Sequence, residues 1–460
     1  METIVAIVVT SFAVLMGVAV AAAVQRSRGF RRAVRHTAES LGLELEQGGL
    51  LRSPRAHGRV DGLDVELRYV RELDRRKRKR GKDTDPVLFT RVTVTGPWRR
   101  DLLVQPRDEA AQARRGLLES INAAVSNARE VRTGDPHLDD AVIVKATNRY
   151  DTLSRLGADS RAYLRVLIGD QGGEVRDRTL TLKRRQLVTD PELLEGMTRA
   201  ALSLGRGLSR DGDSAETALA AIVRDDPVDT VRVNALTELV TEAPLHPETK
   251  SAIAAALAPG DPALRILAAT HAGEDGFDAA RDVALQHDAP VPARRAALEL
   301  LGSRYPRRRD EAAATLDDAL ASLDDALLGV ALDATGALEH RSGLDRLAGV
   351  APRVGARSSR AYAEALTRHG PASEGLLLGL LAVDHTDTRV VAARALGQVG
   401  SVGAVPLLTE HTSGVFKSRT LKSTAREAIA AIQARGSEGA MGGLSVVDEL
   451  GGELALAEED

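Results

Sequence analysis

The chain has 460 residues, a formal net charge of −3, 43% hydrophobic and 28% charged residues, and no cysteine. The apolar share excludes a mainly disordered chain. The missing cysteines exclude a disulfide framework, thiolate metal sites and a cysteine nucleophile, and with only 5 Phe, 5 Tyr and 1 Trp, base-stacking platforms and aromatic cages are scarce.

Residues Ile4 to Val24 form 21 consecutive positions without a charge. As a helix this run spans about 30 Å, enough to cross a hydrocarbon core. Arg26, Arg28, Arg31, Arg32 and Arg35 follow it, whereas Met1-Glu2-Thr3 carries no cation. The positive-inside rule then predicts a transmembrane anchor over 1–25, with the bulk of a single-pass inner-membrane protein in the cytoplasm. The competing reading is a secretory signal cleaved after Ala21-Ala22-Ala23, which would export the rest.

Residues 26–208 mix strand and helix periods and predict a basic α+β domain. Between Gln25 and Asp108 there are 21 Lys/Arg and 12 Asp/Glu, a net of +9, and residues 109–460 sum to −11. Phe30–Leu41 predicts a helix. Gly58-Arg-Val and Leu63–Val70 flank Asp61-Gly62, a hairpin turn pair. Further strands are expected at Val87–Val94, Leu102–Val104 and Ala141–Ala146, and a second hairpin from Glu174-Val to Leu180-Thr-Leu. Helices are expected over Glu109–Ala128 and Glu192–Leu208.

Between the strands predicted at Leu63–Val70 and Val87–Val94 lies a dense cation run: Arg75, Arg76, Lys77, Arg78, Lys79, Arg80 and Lys82. A solvated hairpin tip, contact with anionic lipid headgroups, and nucleic-acid binding are the three readings. No aromatic residue interleaves the cations, which argues against nucleic acid. Thr133-Gly-Asp-Pro136, with Asp139-Asp140 after it, reads as a turn in which proline fixes φ. The stretch also resembles a recurring segment of bacterial membrane-anchored proteins, a likeness that implies no activity.

After Asp213 the chain becomes Ala/Leu-rich with a helical period. Arg232, Arg265, Arg294, Leu328, Arg360, Arg389 and Lys422 each precede small or apolar residues on one helix face, at steps of 33, 29, 34, 32, 29 and 33 residues. Such spacing predicts a helical solenoid of about seven repeats over 213–435. The arginines are expected to pair with a neighbouring repeat's aspartate. Asp229, Asp261 and Asp387 are expected to cap their helices. Asp387-Thr-Arg-Val-Val-Ala-Ala-Arg-Ala-Leu-Gly397 resembles the second helix of a short bacterial HEAT repeat, a type related to repeats in phycobilin lyases. The resemblance covers about 220 residues. The unit carrying Tyr305-Pro-Arg-Arg-Arg309 departs from it by an extra basic turn.

Residues 436–460 carry seven acids and no base. They read as an acidic disordered tail, solubilising or docking as a short peptide. Phosphate-binding, zinc-protease and hydrolase-elbow motifs are missing, so no enzyme, metal or cofactor is expected. The expected fold is therefore an α+β domain followed by an all-α, HEAT-like solenoid behind one transmembrane helix. The function this implies is a membrane-tethered scaffold or adaptor for a protein partner. The alternatives are an enzyme of the phycobilin-lyase type, with a small-molecule pocket, and an exported repeat protein.

Overall fold

A computed structural model describes Val18 and residues 24–46, 54–73, 86–107, 128–209, 213–322, 325–413 and 418–436. Most of the segment 4–24, the cation run 75–82, the helix expected over Glu109–Ala128 and the tail 437–460 lie outside these residues. Among the described residues no helix is long and apolar enough to cross a membrane. An N-terminal antiparallel sheet with helices is followed by a helical C-terminal region.

Helix α1 (residues 24–41) turns Phe30, Ala33, Val34, Thr37 and Ala38 inward and leaves Arg28, Arg31, Arg32 and Arg35 exposed. That stripe is what a 3.6-residue period requires of a half-buried helix. Gly42 ends it at φ +69°, and Leu43 N–H donates to Ala38 O at 2.8 Å, a left-handed glycine cap that satisfies a terminal carbonyl.

Nine strands follow: β1 (Glu44–Glu46), β2 (Arg55–Val60), β3 (Leu63–Leu73), β4 (Pro86–Thr95), β5 (Leu103–Pro106), β6 (Arg129–Glu130), β7 (Val142–Ala146), β8 (Glu174–Arg176) and β9 (Thr179–Arg185). They form one sheet in the order β1-β2-β3-β4-β9-β8-β5-β7-β6, with antiparallel pairs throughout. Asp61 and Gly62 both hold positive φ, at 49° and 80°, which gives the two-residue turn whose twist suits a hairpin. Leu63, Val65 and Leu67 of β3, Val92 and Val94 of β4, and Leu180 and Leu182 of β9 are buried. The alternate residues, Asp64, Glu66, Arg68, Thr93, Thr181 and Lys183 among them, line a polar face, as a strand's two-residue period dictates.

Helix α5 (Pro191–Ser209) covers the apolar face alongside α1. Its N-terminal half meets α1, where Glu195 accepts from Ser40 Oγ at 2.6 Å and lies 3.1 Å from His36 Nε2. Further along, Gly205 lets it approach Leu63: a Cβ there would stand 2.9 Å from that side chain.

Short helices fill the rest of this half: α2 (Pro136–Ala141), α3 (Arg149–Ser154) and α4 (Ala158–Leu164), the last running into a π-helical turn, Arg165–Asp170. Asp139 and Asp140 thus lie inside a helix rather than in the loop expected before the strand. The cause is local. Asp135 caps α2, accepting from the His137 and Leu138 amides, and Pro136 occupies its first position, the residue pair that starts helices.

The chain gathers into two compact units, Met1–Ala255 and Ala256–Asp460. Helices α6 (Ala215–Asp225) and α7 (Asp229–Glu242) belong to the first unit, and α8 (Pro247–Ala256) ends it. Tyr150 Oη donates to Glu216 at 2.9 Å and Arg149 lies 3.1 Å from Glu238, so α3 holds both α6 and α7.

The second unit begins with α9 (Pro262–His271), α10 (Phe277–Leu285), α11 (Val291–Ser303), α12 (Arg309–Ser322), α13 (Asp325–Ala337) and α14 (Leu344–Val350). It continues with α15 (Ser359–Thr367), α16 (Glu374–Ala382), α17 (Thr386–Val399), α18 (Val405–Glu410) and α19 (residues 419–436). Helices α9, α11, α13, α15 and α17 pack each on the next in one row, and α10, α12 and α14 do so in a second. One continuous apolar core runs through the unit from Ile266 to Ile432. Small residues set the spacing of the first row. A Cβ on Gly302 would lie 2.8 Å from Ala334 Cα, and one on Gly397 would lie 3.0 Å from Ala428 Cα.

Candidate functional site

Three places concentrate polar side chains. The first is the open face of the sheet. Register places Arg55, Arg68, Arg91 and Lys183 side by side on β2, β3, β4 and β9. Like charges opposite one another oppose pairing. Glu66 offsets part of this, 2.8 Å from Arg55 Nε and 3.5 Å from Arg68 Nε. A hollow of about 500 Å³ lies on the β8–β9 hairpin, lined by Glu174, Arg176, Asp177, Thr179, Thr181 and Lys183.

The second place is the Thr133–Pro136 turn. Asp139 accepts from Thr133 N–H, Thr133 Oγ1 and Gly134 N–H at 2.9–3.0 Å. From α7, Asn234 Nδ2 donates to Thr133 O at 3.0 Å and Thr230 Oγ1 donates to Gly134 O. Beside the turn Arg161 is 2% exposed. It donates twice to Asp226 at 2.8 Å, and to Asp135 and the Leu156 carbonyl at 3.0 Å. Burial pushes the Asp135 carboxyl up, but hydrogen bonds from Arg161 and the Leu138 and His137 amides outweigh it and hold it below its ordinary value. A cavity of about 130 Å³ borders this knot, lined by Asp135, Arg161, Arg165 and Val228 among others. The turn is therefore a joint: it ties α2, α4 and the α6–α7 connection together. Gly134 sits at φ +90°, and a Cβ there would lie 2.8 Å from Thr230 O. Gly134→Ala should cost about 2 kcal/mol from left-handed strain and the clash together, read by denaturant unfolding followed at the single tryptophan, Trp98, which is fully buried in this unit.

The third place is the series of helix starts. Arg232 Nε donates to Val223 O at 2.8 Å, and Arg294 Nη1 to His287 O at 3.5 Å; both carbonyls precede their own helices. Arg265 reaches Asp282 on the following helix at 3.0 Å, and Arg389 reaches Asp384 at 3.1 Å. Arg265 and Arg294 are 7% and 1% exposed, so they hold helices together rather than face a ligand.

In one unit the marked cation faces outward. In α15 the buried residues are Ser359, Ala361, Tyr362, Ala363, Ala365 and Leu366, with Arg360 exposed and paired to Glu364 on its own helix at 2.9 Å. In α19 they are Leu421, Thr424, Ala425, Ala428 and Ile432. Val231, Leu264, Ala293, Leu327, Ser359, Thr388 and Leu421, each one residue before its marked position, are all buried. Capping differs as well. Asp261 caps α9 through the Leu264 amide, but Asp229 and Asp387 sit inside first turns, and His385 caps α17.

The basic turn at Tyr305–Arg309 is structural too. The Arg308 guanidinium stacks 3.9 Å from the Phe277 ring centre and pairs with Asp278 and Glu311. The Tyr305 ring meets Phe277 edge-on at 5.3 Å, and burial pushes its hydroxyl up to about 12.

One cluster has the residue types of a hydrolase triad: Asp317, His340 and Ser342. Its geometry is different. His340 Nε2 lies 3.0 Å from Asp317 Oδ2, while Ser342 Oγ donates to Asp317 Oδ1 at 2.6 Å. The hydroxyl therefore addresses the acid and not the base, and no nucleophile–base contact forms. Among the described residues no group of three or more His, Asp or Glu is placed to hold a metal ion. No protein-family model matches the chain, and no curated protein matches its sequence.

Proposed function

We propose that the chain is a membrane-tethered scaffold that holds a protein partner on its C-terminal helices, read as HEAT-like repeats. The observation that carries this reading is the row α9–α11–α13–α15–α17, in which every second helix packs on the next around one continuous core. Such a row fixes side chains of successive helices at a constant interval, which suits a long protein surface better than a small substrate. Arg295, Asp333, Glu364 and Arg394 occupy exposed positions on α11, α13, α15 and α17 in turn. Burial pushes the Asp333 carboxyl up, and the charge of Glu364 on the next helix pushes it further. The tether rests on the 21 uncharged positions from Ile4 to Val24 and the arginines after them, and the same asymmetry places the bulk in the cytoplasm.

Photo-cross-linkers at Arg295, Glu364 and Arg394 in the full chain should capture one and the same protein from all three positions. A pigment or other small molecule that copurifies, with no shared protein adduct, would replace this reading by the enzyme of phycobilin-lyase type. An active alkaline phosphatase fused to the C-terminus would replace the cytoplasmic placement by export.

A further inference from the structure

One end of the sheet collects cations from three separate elements. The described part of α1 begins there: the Phe30 ring lies 6.4 Å from that of Tyr69 on β3, and a Cβ on Gly29 would touch Thr189, just before α5. Strand β3 leaves the sheet at this end and β4 returns, with Leu73 opposite Pro86. Strand β9 ends there too, Arg184 standing opposite Thr90.

The exposed side chains at this end include Arg26 and Arg28 on α1, Arg71 on β3, and Arg184 and Arg185 on β9. Arg71 continues the run of Leu67 and Tyr69, and Arg184 that of Leu180 and Leu182. Both therefore share the face that α1 and α5 cover. Among the described residues none makes an ion pair with Arg26, Arg28, Arg71 or Arg184. Among the described residues the acids nearby include Asp190 and Glu192, and Asp190 accepts the Glu192 and Leu193 amides as it starts α5.

We infer that this end of the sheet is a docking surface for the anionic phospholipid headgroups of a bilayer. Charge complementarity asks for a surface dense in phosphate. The uncharged run from Ile4 to Val24 directly precedes the arginines of α1 in sequence, so on the tethered reading the bilayer lies beside this end. The choice of a bilayer thus rests on the tethered reading, whereas the cation cluster rests on the fold. Arg71 and Arg184 lie far from the anchor in sequence, so reversing them leaves the uncharged segment unaltered.

The chain has no cysteine, so single labels are unique. The full-length protein carries a fluorophore at Leu193→Cys, near this end, or at Asp64→Cys, beside the opposite hairpin turn. Each is placed in vesicles of phosphatidylcholine alone or mixed equally with phosphatidylglycerol, with a nitroxide quencher on the headgroups. The Leu193→Cys label should be quenched several-fold more in the mixed vesicles, and the Asp64→Cys label little in either. Arg71→Glu/Arg184→Glu should lower the preference for the anionic bilayer roughly tenfold or more.

Equal quenching in both lipids, or quenching that ignores the double reversal, overturns the inference. So does a single-stranded oligonucleotide bound through Arg71 and Arg184 in place of vesicles. Flotation separates the two readings. A chain that fails to float with phosphatidylcholine vesicles loses its tether. Binding to mixed vesicles that depends on Arg71 and Arg184 would still support the surface.

Discussion

Replacing Arg161 with methionine is expected to destabilise the first unit by about 3–5 kcal/mol, a large part of an ordinary domain's total stability. Methionine fills similar space but leaves Asp226, with a side chain 1% exposed, facing no cation from α4. Deleting one partner of a buried pair costs far more than replacing both, because a charge remains out of water. The pH dependence separates this cause from lost packing. In the wild type the Asp135 carboxyl is held below its ordinary value: burial pushes it up, and the Arg161 and amide hydrogen bonds outweigh that. Its contribution is therefore present above about pH 4, the unfolded value, and is lost as pH falls through the lower folded value. In Arg161→Met the Asp135 carboxyl keeps only the His137 and Leu138 amides against its burial, so this acid-side loss of stability should shrink relative to the wild type. Urea unfolding followed at Trp98 measures both. A loss under about 1 kcal/mol, or parallel pH profiles, would show that the joint is held by packing alone.

The parts of this fold that were legible in the sequence are those set by neighbours along the chain. Asp61-Gly62 marks a hairpin because two positive φ angles suit few other residue pairs. The alternation of Leu63 to Leu67 declares one buried sheet face, and the spacing of Arg232, Ala235, Leu236 and Leu239 declares a helix stripe. What stayed hidden depends on distant partners. Arg161 meets acids 26 and 65 residues away, and no period announces such a pair. Thr230 and Asn234, which tie α7 to the Gly134 turn, look like ordinary exposed helix residues until the turn arrives. The helix pair after Asp213 is joined to α3 and to the Gly134 turn through such contacts.

Gly302→Val should lower the stability of the second unit by about 3 kcal/mol. Gly302 lies in the last turn of α11, where its hydrogen meets the backbone of α13. A Cβ there would come 2.8 Å from both Ala334 Cα and Ala334 Cβ and 3.0 Å from Ala334 O. Backbone cannot rotate away as a flexible side chain does, so the two helices must part and the surrounding apolar contacts open with them. The helical preference of valine over glycine works the other way, by a few tenths of a kcal/mol, and is too small to decide the sign. Gly375 supplies the control: it sits in α16 with nothing within 4 Å of a built Cβ, and Gly375→Ala should stabilise by about 0.5–1 kcal/mol. Two helix glycines thus respond with opposite signs because one lies between two packed helices of one row and the other faces open space. Circular dichroism melts report the two signs, and amide exchange reports the reach. Since the core runs unbroken from Ile266 to Ile432, weakening the α11–α13 contact should raise exchange in α13 and α15 as well as in α11. Exchange that rises in α11 alone would mean that neighbouring helices do not share stability, and the long surface proposed for a partner would lose the rigidity on which it depends.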